Sequence, residues 1–189
     1  MKLSPDAIGF IFWPKSPRGV SAEEVAEWTN GKVPNGIRKV GVFVDTSVEE
    51  IHEIAAKAEL DVIQLHGPYT PYEISDIDLP VWRVLHVDRL PEDWNVTDVE
   101  ALLVDSGTIE MPGGTGVQVD LDRAKEMVKQ SKFPVLLAGG LKPDTVGSVI
   151  ESIGLHGVDV SSGVESRPGV KDMDAVRTFL RNARDAFSS

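Results

Sequence analysis

Three short stretches, Gly113-Gly114-Thr115-Gly116, Gly139-Gly140 and Ser161-Ser162-Gly163, each follow an apolar run and precede a helical pattern. Glycine lets backbone N–H groups approach an anion closely, and a helix N-terminus behind them adds a favourable dipole. One such loop is usually no more than a turn. Three in successive units point to a phosphate held by Gly113, Gly114, Gly116, Gly139, Gly140, Ser161, Ser162 and Gly163. Asp105 closes the run Ala101-Leu102-Leu103-Val104, where a carboxylate serves either as a general acid or base or as a turn cap. Asp159 lies inside Val158-Asp159-Val160. There it needs either a structural hydrogen bond or a substrate hydroxyl. His66 and Gln64 end another run, and a histidine in that position is more often structural than catalytic. Arg18 and Lys15 sit in Trp13-Pro14-Lys15-Ser16-Pro17-Arg18, a loop that two prolines stiffen. The planar guanidinium suits a carboxylate bidentately, with a solvated surface pair as the alternative. His52-Glu53 lacks the second histidine of a zinc-protease motif and reads as helix surface. The scattered acidic residues make no metal-ligand cluster, and there is no Walker loop or nucleophile elbow.

The elements that must carry these residues recur along the whole chain. Strand-length apolar runs occur at Ala7–Phe12, Lys39–Val44, Asp61–Leu65, Val81–Val87, Ala101–Val104, Val135–Ala138 and Gly157–Val160. Nearly continuous apolar runs are the mark of parallel strands buried on both faces. Ser21-Ala22-Glu23-Glu24 and Ser47-Val48-Glu49-Glu50 are capping boxes that open helices. Further helices are expected over Leu121–Gln130, Asp144–Ser152 and from about Lys171 to Phe187, with at most a short one within Tyr69–Asp78. No linker or low-complexity tract divides the chain, so residues 1–189 read as one domain. The β-α-β-α rhythm means a parallel α/β architecture. A doubly wound sheet would want glycines in the first βα turn. Here that turn is Trp-Pro-Lys-Ser-Pro-Arg, and the glycine loops instead follow the last strands, as in a (β/α)8 barrel of the TIM type. Seven strands are visible where such a barrel has eight.

Composition narrows the chemistry. The 189 residues carry a formal net charge of −11 and no cysteine. Disulfides, thiolate metal sites and cysteine nucleophiles within these residues are excluded. The acidity favours solubility and argues against nucleic acid or an anionic membrane as a partner. An anionic substrate must be held by a local site against the global field. No apolar stretch is long enough to span a membrane, and the N-terminus has no secretory layout, so a cytoplasmic location is expected.

Taken together these stretches resemble the phosphoribosylanthranilate isomerase family of tryptophan biosynthesis. The residues that carry the resemblance are Gly9–Arg18, Val40–Val44, Gln64–Gly67, Leu103–Ser106, Gly113–Gly116, Leu137–Leu141, Val158–Glu165 and Pro168–Asp172. The resemblance implies a cofactor- and metal-free Amadori rearrangement of a phosphorylated small molecule. N-(5′-phosphoribosyl)anthranilate becomes 1-(o-carboxyphenylamino)-1-deoxyribulose 5-phosphate. It assigns the general acid to Asp105, the anthranilate carboxylate to Arg18 and the phosphate to the glycine loops. Gln64, His66 and Asp159 line the site. It also implies a first strand carrying a Lys-Ile/Val-Cys-Gly base, and this chain enters the family pattern after it, around Met1–Asp6. Bare edges on Ala7–Phe12 and Gly157–Val160 would then invite self-association. A non-catalytic phosphosugar-binding remnant or assembly partner of the same fold is the second reading. A histidine-pathway sugar-phosphate isomerase is a weaker third, because it would want two phosphate sites.

Overall fold

The computed structural model describes residues 4–86, 94, 98–105 and 121–189. Among them seven strands form one parallel sheet in chain order: β1 Ala7–Ile11, β2 Arg38–Val44, β3 Val62–His66, β4 Val81–His86, β5 Ala101–Asp105, β6 Val135–Ala138 and β7 Gly157–Val158. Helices α1 Ala22–Thr29, α2 Val48–Ala58, α3 Pro71–Ser75, α4 Leu121–Gln130, α5 Val146–Ile153 and α6 Met173–Phe187 alternate with them. This is the parallel β/α repeat of the (β/α)8-barrel type. A small antiparallel ribbon, β8 Glu165–Arg167 with β9 Val170–Lys171, interrupts the repeat before α6.

The described residues fall into two compact units, one holding β1–β3, α1–α3 and most of β4, the other the end of β4 and everything from β5 onward. In the first unit, Ser21 opens α1 with a complete capping box: its hydroxyl accepts from the Glu24 N–H while the Glu24 carboxylate accepts from the Ser21 N–H. Ser47 caps α2 by accepting from the Glu50 N–H. Without a reciprocal Glu50 bond this is a cap rather than a complete box; the second complete box, Thr70 with Glu73, explains why the polar stretch after β3 makes the one-turn helix α3, with Pro71 at its start. These caps satisfy N–H groups that the first turn leaves without partners. The helices cover a core of Val25, Phe43, Ile51, Val62 and Ile63, all fully buried, with Phe12 stacked on Phe43 at 5.3 Å. Each such side chain contributes about 1.5–3 kcal/mol by burial. At the amino ends of the strands, Arg38 grips Glu100 through two bonds of 2.5 and 3.0 Å, and the Trp82 indole N–H donates to the same carboxylate at 2.8 Å. Arg38 holds the Glu100 carboxyl below the usual carboxylate range.

In the second unit, Leu102, Leu103, Val104, Val135, Leu137, Val146 and Phe179 form the core. Asn182 of α6 reaches across to donate to the Pro143 carbonyl at 2.7 Å. Two expectations from the sequence are corrected. First, β7 ends at Val158, so Asp159 follows the strand rather than lying within it. Its neighbour β6 ends at Ala138, where Gly139 turns the chain with φ +84°, and only the bond from the Asp159 N–H to the Leu137 carbonyl, 2.8 Å, prolongs the ladder. Second, β1 and β7 are not buried on both faces like β3 and β5. They are the two ends of the sheet, each bonded to one neighbouring strand, and their residues are half-buried or exposed.

Candidate active site

In the first unit the polar residues gather at the carboxyl ends of β1, β2 and β3. After β1 the chain doubles back at once: the Ser16 N–H donates to the Trp13 carbonyl, the Gly19 N–H to the Ser16 carbonyl and the Val20 N–H to the Ile11 carbonyl, at 2.9–3.0 Å. A Cβ on Gly19 would come within 2.7 Å of the Trp13 carbonyl oxygen, so only glycine closes this loop. Arg18 is half-buried within it, its N–H donating to the Ser16 hydroxyl at 3.1 Å. The prolines and the glycine together remove the conformational freedom that a long side chain on a loop would otherwise have to give up on binding. Gln64, 6% exposed, lies beside His66 on the same face of β3, with Gln64 Nε2 3.0 Å from His66 Nε2.

One residue here was not visible in the sequence. Asp45, directly after β2, takes φ +50°, a conformation rare outside glycine and asparagine or aspartate. Gly67 makes room for it: a Cβ at Gly67 would sit 2.4 Å from the Asp45 carboxylate. The neighbouring Thr46 backbone is clamped by the buried Tyr69 hydroxyl, which accepts from its N–H and donates to its carbonyl at 2.8 and 2.9 Å. Burial raises the Tyr69 phenol above its ordinary value. A strand-end Asp before a helix cap looks like punctuation in a sequence, and only the positive φ separates it from an ordinary turn.

In the second unit Asp105 pairs with Ala138 across β5 and β6, and Asp159 follows on the other side of β6. The two carboxylates therefore flank one alanine at the carboxyl edge. Burial pushes the Asp159 carboxyl above the usual range, the Asp105 charge adds to that, and Lys171 together with the Val160 backbone opposes it. The glycine loops meet here as well. Gly139 and Gly140 have φ +84° and +63°. A Cβ on Gly163 would lie 1.9 Å from the Leu141 carbonyl oxygen, so Ser161-Ser162-Gly163 packs directly against the chain leaving Gly139-Gly140. The second of these loops leads into a 3-10 turn, Ser162–Val164, and the β8–β9 ribbon before α6, not straight into a helix as its spacing suggested. Gly113, Gly114 and Gly116 lie outside the described residues. His52, read from the sequence as helix surface, is half-buried with its Nε2 enclosed and without a hydrogen-bond partner, beside Ile51, Leu60 and Ile77. Among the described residues no three His, Cys, Asp or Glu side chains are grouped to hold a metal ion, and no helix is long and apolar enough to cross a membrane.

The linkage at Asp159 gives a measurable sign. Its carboxyl ionises in the unfolded chain at the ordinary value and in the folded chain at a higher one. The native state is thus favoured below the ordinary value and loses that advantage as pH rises through the window between the two. Thermal unfolding of Asp159→Asn should show the variant gaining stability relative to the parent as pH increases across that window. A constant difference would mean that the folded carboxyl is not raised.

A parallel β/α chain with its polar residues at the strand carboxyl ends and its glycine loops after the last strands is a protein of the (β/α)8-barrel class. Residues 1–182 match the family described as N-(5′-phosphoribosyl)anthranilate (PRA) isomerase, and the chain belongs to that family. The N-(5′-phosphoribosyl)anthranilate isomerase of Trichlorobacter lovleyi is 37% identical over 189 residues, which covers 99% of this chain and 91% of the relative. The crystal structure of phosphoribosyl anthranilate isomerase from Thermotoga maritima is similar at 31% identity with a TM-score of 0.82, over 95% of this chain and 88% of that one. A phosphoribosyl anthranilate isomerase in complex with reduced 1-(o-carboxyphenylamino)-1-deoxyribulose 5-phosphate is similar at 29% identity and TM-score 0.77, over 95% and 88%.

Proposed function

We propose that the chain binds N-(5′-phosphoribosyl)anthranilate and serves its Amadori rearrangement to 1-(o-carboxyphenylamino)-1-deoxyribulose 5-phosphate. The supporting observation is the second unit's arrangement, in which Asp105 and Asp159 flank Ala138 beside the two abutting glycine loops. Asp105 gives its proton to the furanose ring oxygen as the ring C–O bond breaks, a base then takes the C2 proton from the resulting iminium to give the enolamine, and protonation at C1 with loss of the C2 hydroxyl proton yields the ketone. Backbone N–H groups of Gly139, Gly140, Ser161, Ser162 and Gly163, with those of Gly113, Gly114 and Gly116, hold the phosphate. The family resemblance assigns the anthranilate carboxylate to Arg18, whose guanidinium suits it bidentately, a sugar hydroxyl to Asp159, and lining roles to Gln64 and His66. Relatives named as isomerases favour this reading over a non-catalytic remnant.

The reduced product analogue is the probe. Calorimetry with the 189-residue chain should show binding, weakened about tenfold or more in Arg18→Ala, as expected for a charge-assisted pair. Absence of binding overturns the proposal, and an unchanged Arg18→Ala removes the carboxylate assignment. The single-neighbour edges of β1 and β7 also offer unpaired backbone to a second copy of the chain. Sedimentation over a concentration series should show association, and a constant coefficient would rule it out.

A further inference from the structure

The anion loop Ser161–Gly163 has only a one-turn 3-10 element, Ser162–Val164, to hold it. Its first hydroxyl makes no cap bond, and the 3-10 turn closes through a long 3.5 Å contact from the Val164 N–H to the Ser161 carbonyl and a bond from the Glu165 N–H to the Ser162 carbonyl. What anchors that carbonyl is a side chain ten residues away. Lys171 Nζ donates to the Ser161 carbonyl at 2.8 Å and to Glu165 Oε1 at 3.2 Å. The Glu165 side chain is only 4% exposed, so this ion pair is largely shielded on its acidic side. The β8–β9 ribbon delivers Lys171 to this point by pairing it with Glu165, and Gly169, with φ +81°, turns the ribbon after Pro168. The next residue, Asp172, caps α6 by accepting from the Asp174 and Ala175 N–H groups, while its own N–H donates to the Val164 carbonyl. The ribbon is thereby fixed at both ends, and it presents the ammonium to the Ser161 carbonyl and the Glu165 carboxylate.

We propose that Lys171 is the positioning residue of the phosphate loop: its ammonium bridges Ser161 and Glu165 and places a cation behind the loop's anion-facing backbone. This inference rests on the functional reading above and adds to it the group that makes the loop competent. A dianion arriving in a chain of net charge −11 meets a repulsive field. A fixed positive charge bonded to the loop's own carbonyl offsets it locally and orients the Ser161-Ser162 peptide at the same time. Lys171 also opposes the rise in Asp159, which is consistent with an ammonium close to the carboxylate pair. Lys171 does not need to touch the phosphate to act this way.

The test compares two ligands, the reduced product analogue and the same molecule without its phosphate, by calorimetry on the parent chain, Lys171→Met, Lys171→Arg and Glu165→Gln. The parent should prefer the phosphorylated ligand. Lys171→Met should lose about tenfold or more of its affinity for that ligand, the scale of a charge-assisted hydrogen bond, and bind the dephosphorylated one unchanged. Lys171→Arg should recover most of the loss, and Glu165→Gln should show a smaller loss confined to the phosphorylated ligand. Equal loss for both ligands, or none for the phosphorylated one, overturns the proposal. If Lys171→Met does not fold, Glu165→Gln decides alone, and parental behaviour toward both ligands overturns it. A parent that does not distinguish the two ligands refutes the phosphate-site reading itself, whereas a parental preference that Lys171→Met retains refutes only the role of Lys171.

Discussion

Expressed alone in a tryptophan auxotroph that lacks PRA isomerase, the 189-residue chain should not support growth. The same chain extended with a relative's cysteine-bearing segment should. The rearrangement needs an acid at the ring oxygen and a base at C2 before the enolamine can tautomerise to the ketone. A positioned general base is worth about 10²–10⁴-fold, and the family resemblance assigns that base to a cysteine, a residue type these 189 residues do not contain. His66 is the first substitute within the chain, but Gln64 Nε2 lies 3.0 Å from its Nε2. An amide nitrogen can only donate, so in this arrangement the His66 nitrogen accepts that bond and its lone pair is engaged. Growth with the unextended chain would overturn the expectation and make His66 the base, which Gln64→Leu and His66→Asn variants would then confirm or dismiss.

Asp105→Asn, introduced into the extended and active chain, should lower kcat by about 10²–10⁴-fold and leave affinity for the reduced product analogue close to the parental value. Asparagine preserves the shape and the accepting oxygen but carries no acidic proton for the ring oxygen. The site already holds a second carboxylate in Asp159, on the other side of Ala138. Its role as a hydroxyl contact predicts that Asp159→Asn raises KM more than it lowers kcat. A loss below tenfold in Asp105→Asn would contradict the acid assignment, and a greater loss in Asp159→Asn would transfer it.

The contrast between these residues reflects how information is distributed along the chain. β6 and α4 occur where their patterns place them, Val135–Ala138 and Leu121–Gln130. Alternation of apolar runs with capped amphipathic stretches is a local signal that burial on both faces reinforces. The Ser21–Glu24 box is equally local, since both partners lie within one turn. Asp105 and His66 were legible as strand-end residues because a parallel strand ends where its apolar run ends. The limits of β7 were not. Val160 has the composition of a strand residue, but Gly139 carries away the strand that β7 pairs with among the described residues, and a strand extends only as far as its partner does.

By itself, then, the sequence determined the order of the seven parallel strands and the helices between them, the barrel-type class and the polar residues available at the carboxyl ends, because hydrophobic period, caps and glycine are properties of neighbouring residues. Only the tertiary structure decided which of those residues meet. It set Asp105 and Asp159 on either side of Ala138, pressed Gly163 against the Leu141 carbonyl, fitted Asp45 over Gly67, and carried Lys171 back to the Ser161 carbonyl. These are contacts between segments brought together by strand register and close backbone approach. No pattern within either segment contains the other, and the register exists only once the sheet has formed.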